Sequence, residues 1–231
     1  MKDLAAALSL PYPGRGILCG LTPDGKNAAC AYFIMGRSKN SRNRVFVENG
    51  RDLIIHPQDP SKVEDPSLII YSPVRVCGRT LIVTNGDQTD TIYDGLLAGK
   101  TFEEALEARC FEPDAPNWTP RISALLCFGE EYTYKLSILK NTDGQGKKCG
   151  RFTYRYEAEP GKAHLIHTYQ ENLDPLPSFE GEPREVTVPD TLEKWTDTIW
   201  NALNEDNRIS LFTRFVPLDG RPEESRIINK Y

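Results

Sequence analysis

The chain reads as an α+β protein: two antiparallel sheets packed face to face, with helices covering them on the outside. Three observations predict this. Six short apolar runs, rich in β-branched residues, follow one another with only turn signals between them. Two helix signals then arrive together in mid-chain, and a third stands near the C-terminus. Because no helix separates successive strands, a doubly wound parallel sheet is excluded.

The elements follow in order. Residues 17–21 and 28–35 are apolar runs separated by Pro23-Asp24-Gly25, a hairpin signal in which Pro presets one φ and Gly supplies the positive one. Residues 44–47 and 52–56 flank Asn49-Gly50, and 68–76 and 80–84 flank Gly78. Ile92, Leu96 and Leu97 fall at helical spacing, so 91–99 reads as a helix ending at a glycine. Thr101 and Glu104 form a capping box for a second helix, 101–110, with Phe102, Ala105, Leu106 and Cys110 on its apolar face. Strands resume at 121–128, 132–139, 151–158 and 164–170. In 151–156 aromatic and polar residues alternate strictly. Residues 173–189 hold four prolines and read as an extended connector. A helix over 190–203, with Leu192, Trp195, Ile199 and Leu203 as its buried stripe, precedes a last strand at 209–216.

Composition narrows the function. The net charge of -5 carries no basic stripe, which argues against broad binding of nucleic acid or anionic membranes. No apolar run approaches a membrane span, and the apolar part of the N-terminus is too short for a signal peptide. The six cysteines form no C-x-x-C pair, so the reading is a reduced, cytoplasmic protein with neither a disulfide framework nor a zinc site. His164 and His167 lie three apart on a strand and point to opposite faces, so they share no metal.

Three stretches carry possible chemistry. In Thr84-Asn85-Gly86-Asp87-Gln88-Thr89-Asp90-Thr91 a buried strand leads through small polar residues into a helix start. Two readings fit it equally: a binding edge of free N–H groups, hydroxyls and carboxamides, or a capped, solvated loop. The segment from Arg37 and Ser38 to Arg44 holds three arginines and a lysine, a fork-rich set suited to phosphate or carboxylate, though a bare charge run is usually a solvated loop. Glu112, among Phe111, Pro113 and Trp118, is a carboxylate whose surroundings suit a raised pKa and acid–base work, and Tyr71 ends an apolar run that can bring a phenol to the same pocket. The plainer alternatives are a glutamate that balances its neighbours and a core tyrosine with a satisfied hydroxyl.

Together these residues resemble a family, the archaeal-type IMP cyclohydrolases. The resemblance runs through Gly14-Arg15, Ala31-Tyr32, Arg37-Ser38, Asn43-Arg44, Tyr71, Asn85-Gly86, Thr89-Asp90-Thr91-Ile92, Glu112, Thr119-Pro120-Arg121-Ile122 and Thr168-Tyr169. It implies an Ntn-hydrolase-like fold, a four-layer αββα sandwich, without the usual N-terminal nucleophile. It implies closure of the purine ring of formamidoimidazole-carboxamide ribonucleotide to IMP, with loss of water and with no cofactor or metal. Glu112 and Tyr71 match the acid–base positions. Asn85, Thr89 and Thr119 would hold the formyl and carboxamide groups, Arg15, Arg37, Arg44 and Arg121 the phosphate, and Ser38 and Asp90 complete the substrate-binding set.

On this reading residues 1–231 form one domain, with 12–170 its best-matching core and 173–231 a connector, helix and strand extension. The partner is a small purine-precursor ribonucleotide, compatible with a homo-oligomer. Asp87-Gln88 varies within the central motif. The second function class is a purine-nucleotide-binding protein or sensor that kept the pocket and lost the chemistry.

Overall fold

The computed structural model describes residues 2–63 and 70–231. Among them, thirteen strands form two sheets. The first, of six strands, has the order β11-β10-β1-β2-β12-β13 and is antiparallel throughout; the second, of seven, runs β3 to β9 in sequence order as a meander. The first sheet comprises β1 (Arg15–Leu21), β2 (Asn27–Met35), β10 (Lys162–His167), β11 (Arg184–Thr187), β12 (Arg208–Pro217) and β13 (Glu224–Asn229). The second comprises β3 (Val45–Asn49), β4 (Asp52–His56), β5 (Val74–Cys77), β6 (Thr80–Thr84), β7 (Arg121–Phe128), β8 (Tyr132–Asn141) and β9 (Cys149–Glu157).

The strand period of two builds the layers. Along β2, Ala28, Cys30, Tyr32 and Ile34 enter the cluster between the sheets, where they meet Leu81, Val83, Ile122, Ala124 and Leu126 of β6 and β7. The alternate residues Ala29, Ala31, Phe33 and Met35 face outward onto α1 (Leu4–Leu8) and α5 (Leu192–Ala202), with Trp195 of α5 fully buried. A third cluster seats Ile92 of α3 (Gln88–Leu97) and Phe102 and Leu106 of α4 (Phe102–Leu106) on Ile82, Leu125 and Leu139 of the second sheet. Helix, sheet, sheet, helix: this is the four-layer αββα sandwich expected from the sequence.

Several boundaries differ from the sequence reading, each for a physical reason. The helix expected over 91–99 begins at Gln88, because the polar residues read as loop form its first turn and bury Gln88 and Thr89. The helix expected over 101–110 is a single capped turn, although both halves of its Thr101–Glu104 capping box are present. The strand expected over 68–76 is Val74–Cys77; Leu68 and Ile69 lie outside the described residues, and Pro73 has no N–H for a ladder. The connector 173–189 contains β11, a short strand between prolines that pairs with β10. The edge strand β13 and the four-residue α2 (Lys39–Arg42) were not anticipated. Far from being an appendage, the C-terminal region supplies β12, which lies beside β2 inside the first sheet.

Candidate active site

The polar groups converge where β1 begins and β10 ends. Gly14 allows this approach: its φ is +76°, and a Cβ there would lie 2.2 Å from Thr168 Oγ1 and 2.5 Å from the Tyr169 ring. The backbones then lock, with Arg15 N donating to Thr168 Oγ1 at 3.1 Å and Thr168 N to Arg15 O at 3.0 Å. Arg15 is thereby fixed as the first residue of its strand.

From that position Arg15 Nη2 donates to both carboxylate oxygens of Glu112, at 3.3 and 3.2 Å. Glu112 is buried, and it sits on a closed loop: its N–H donates to Thr119 O at 2.8 Å, while Phe111 packs edge-on against Trp118 at 5.8 Å. Burial pushes the Glu112 carboxyl above its ordinary range, and Arg15, Arg121 and Arg44 pull it partly back. The Nε of Arg15 is buried and has no hydrogen-bond partner among the described residues.

Tyr71 stands beside this pair. Its carbonyl accepts from Ile55 N at 3.1 Å, which ties it to β4, and its hydroxyl lies 2.8 Å from that of Tyr32 on β2. Burial raises its phenol, while Arg15 and Arg44 lower it. Arg44 is itself buried, with Nε donating to Ser41 O at 2.8 Å; burial and the nearby Arg15 lower its pKa.

Across the loop, Thr119 is gripped by Asp114. Thr119 N donates to Asp114 Oδ1 at 2.7 Å, and the Thr119 hydroxyl donates to Oδ2. A carboxylate only accepts, so the one hydroxyl proton of Thr119 is committed, and the Tyr169 hydroxyl, also in contact with Thr119 Oγ1, must donate to it. Thr119 and Tyr169 thus have lone pairs, not protons, left for a ligand. The Tyr169 ring stacks on Tyr12 at 5.9 Å, and Arg37 lies over the other neighbour of that stack, 5.1 Å from the Tyr12 centroid.

Of the residues singled out in the sequence, Arg15, Arg44, Tyr71, Glu112 and Thr119 come together. Arg37 stands exposed at the rim, bonded to Asn172 Oδ1 at 2.9 Å and to Leu173 O at 3.3 Å. Ser38 caps α2 through a reciprocal bond with Ser41. The others are bonded within the fold, although Arg121 still acts on Glu112 by its charge. Asn85 donates to Pro120 O at 2.8 Å and accepts from Ile122 N at 2.8 Å and Gln88 Nε2 at 3.0 Å. Thr89 Oγ1 lies 2.6 Å from Thr84 Oγ1 and 2.9 Å from Gly86 O. Arg121 Nη1 bonds Asp87 and Gln88, both at 2.7 Å, and Asp90 pairs with Arg75 at 2.7 Å. The central motif is therefore a hydrogen-bonded knot joining α3 to the start of β7.

Tyr12, Tyr32, Asp114 and Tyr169 escaped the sequence reading as site residues. Tyr32 and Tyr169 did lie in stretches that carried the family resemblance, whereas Asp114 had no signal beyond its place between two prolines. His164 and His167 have separate partners: Tyr134 Oη lies 2.7 Å from His164 Nδ1, and His167 Nδ1 lies 2.9 Å from Tyr169 O. Among the described residues no group of three or more His, Cys, Asp or Glu side chains is placed to hold a metal ion.

One end of the αββα sandwich thus holds an arginine–glutamate pair beside the Tyr32 and Tyr71 phenols, side chains of the kind that move protons in acid–base catalysis. Residues 12–220 match the model of a family described as IMP cyclohydrolase-like protein, and the chain belongs to that family. The match takes in the connector, α5 and β12. Among its relatives, the IMP cyclohydrolase of Methanopyrus kandleri is 33% identical over 183 residues, covering 73% of this chain and 89% of that one. The IMP cyclohydrolase of Methanococcus maripaludis strain S2 is 30% identical over 164 residues (69% and 75%), and that of Methanocaldococcus jannaschii 29% over 159 (68% and 73%).

Proposed function

We propose that this protein is an IMP cyclohydrolase, which closes the purine ring of formamidoimidazole-carboxamide ribonucleotide with loss of one water. The observation that carries the reading is the buried Arg15–Glu112 pair with the Tyr71 phenol beside it, inside a chain of this family. The carboxamide nitrogen attacks the formyl carbon. Its proton passes to Glu112, and the formyl oxygen, gaining the carbonyl electron pair, takes the Tyr71 proton. The C–O bond then breaks, hydroxide leaves as water with the Glu112 proton, and the formamido N–H proton returns to the Tyr71 oxygen. Atoms and charges balance, and no cofactor enters.

The elevated pKa of Glu112 suits this double duty, since a carboxyl that takes and returns a proton works best near the operating pH. Arg15 holds that carboxylate in one orientation and stabilises negative charge as it develops. Both reacting groups sit on one imidazole ring, so holding them in the attacking conformer supplies part of the rate. Thr119 and Tyr169 would receive the substrate's N–H groups. The phosphate would fall to Arg44 with Arg37 at the rim, and Arg121, already holding Asp87 and Gln88, would contribute charge at longer range. Among the described residues no helix is long and apolar enough to cross a membrane, in keeping with a small-molecule enzyme of the cytoplasm.

The test is an absorbance assay of IMP formation from the formyl intermediate, with nucleotide binding measured in parallel. Turnover that is lost in Glu112→Gln supports the reading. Tight nucleotide binding with no turnover in the wild-type protein would make it a binding protein instead.

A further inference from the structure

Tyr32 takes no direct part in the scheme above, yet it is built into it. Its ring points inward from the middle of β2, is wholly buried, and stacks on Phe46 with centroids 5.5 Å apart. Among the described residues its hydroxyl has one partner, the Tyr71 hydroxyl at 2.8 Å. A buried hydroxyl with a single neighbour either gives its proton to that neighbour or leaves the proton unpaired, which is costly.

Tyr71 is differently placed. The groups that face it are Tyr32 from β2, Arg15 from β1, Arg44 from the loop before β3 and Glu112 from the loop after α4. Two of these are guanidinium groups, which donate and never accept. They favour lone pairs, and in the limit a negative charge, on the Tyr71 oxygen. The same arginines also reach Tyr32, where they stand behind its burial and the Tyr71 phenol. What sets the sense of the pair is that Tyr32 has no other acceptor among the described residues, whereas Tyr71 faces the site.

We propose that Tyr32 is a positioning residue that donates its hydroxyl to Tyr71 Oη, so that the Tyr71 proton points at the substrate and its departure leaves a phenolate already hydrogen-bonded. This deepens, and rests on, the assignment of Tyr71 to the ring-closing step. The proton given to the formyl oxygen comes from Tyr71; Tyr32 keeps its own proton throughout, and no other reactant is needed. Burial raises both phenols and both arginines lower both, but the shared hydrogen bond raises Tyr32 and lowers Tyr71, which favours Tyr71 as the member of the pair that ionises.

The test separates this role from a packing role. A 2,3,5-trifluorotyrosine at position 71 ionises at lower pH than tyrosine and reports its own titration by fluorine NMR. Adding Tyr32→Phe, which keeps the ring and its stacking on Phe46, should move that midpoint up by about one pH unit. In the enzyme with natural Tyr71, Tyr32→Phe should lower kcat about tenfold, with KM within about twofold. If Tyr32→Phe does not fold, 3-fluorotyrosine at position 32 keeps the hydroxyl as a stronger donor and should move the midpoint down. A midpoint that moves in neither variant overturns the proposal, as does a kcat that falls while the midpoint stays fixed. Tyr71→Phe at wild-type rate would remove Tyr71 from the chemistry and this assignment with it. An impaired Tyr71→Phe beside an unshifted midpoint sinks the Tyr32 assignment alone.

Discussion

Arg15 grips Glu112 with one nitrogen: Nη2 reaches both carboxylate oxygens, 97 positions away in the chain, while Nε of the same guanidinium is buried with no partner among the described residues. An arginine serving stability alone would be expected to offer two nitrogens in a fork. Here one nitrogen spans both oxygens, which fixes the orientation of the carboxylate and leaves Nε of the same guanidinium uncommitted.

Glu112→Gln preserves shape and removes the charge. The expected result is a fall in kcat of roughly a hundredfold or more, with little change in nucleotide binding. Adding Tyr71→Phe should cost little beyond the worse single change, because residues that act as a unit are not additive. Wild-type Glu112 must be ionised to accept the proton, so kcat should decline on the acid side at a higher pH than an ordinary glutamate would give. That limb should vanish in Glu112→Gln, and a limb that persists would assign it to another group.

Arg37 is exposed and distant from the core, so Arg37→Ala should leave stability within about 0.5 kcal/mol. If it holds the phosphate, KM for the ribonucleotide rises about tenfold, equivalent to about 1.4 kcal/mol, while the riboside is unaffected. Equal losses on both substrates would move the phosphate away from this arginine.

Asn85 separates the two readings of the central motif. Its carboxamide holds Pro120 O, Ile122 N and Gln88, all at buried positions. Asn85→Ala should therefore destabilise the fold by about 2–3 kcal/mol, the penalty for leaving buried polar groups unpaired, with KM of the folded fraction little changed. Denaturant unfolding measures the first and steady-state kinetics the second. A stable variant with a raised KM would make Asn85 a ligand-binding residue.

His167 predicts the acid stability of the fold. It is fully buried, Nε2 has no partner among the described residues, and burial followed by the Arg184 charge holds its pKa at about 3. A histidine with a depressed folded pKa takes up its proton more readily when unfolded. Its stabilising share is complete above the unfolded value near 6.5 and is lost as pH falls from there towards 3. The slope should approach about 1.4 kcal/mol per pH unit within that window. His167→Asn should flatten the fall in melting temperature between pH 6 and pH 4, and identical slopes in both proteins would place the acid sensitivity elsewhere.

The layers and the family are legible in the sequence because their signals are local. The apolar runs 17–21 and 28–35 around Pro23-Asp24-Gly25 mark a hairpin without reference to any other segment, and the Thr101–Glu104 box marks a helix start within four residues. Five residues that the sequence offers as candidates, Arg15, Arg44, Tyr71, Glu112 and Thr119, lie together in the fold. Which polar groups are consumed by the fold was not legible. Asn85, Thr89 and Arg121 look in sequence like ligand-binding residues, yet their side chains bond to Pro120, Gly86 and Asp87. An amide or guanidinium offers the same donors to a backbone carbonyl as to a substrate, so only the packing of α3 against β7 decides its partner. The same holds for Tyr32 and Tyr71. The sequence by itself set Tyr32 in a strand and Tyr71 at the end of an apolar run, while the meeting of their hydroxyls depended on two sheets closing face to face. That closure is set by burial summed over the whole interior, a non-local quantity that no short stretch of chain encodes.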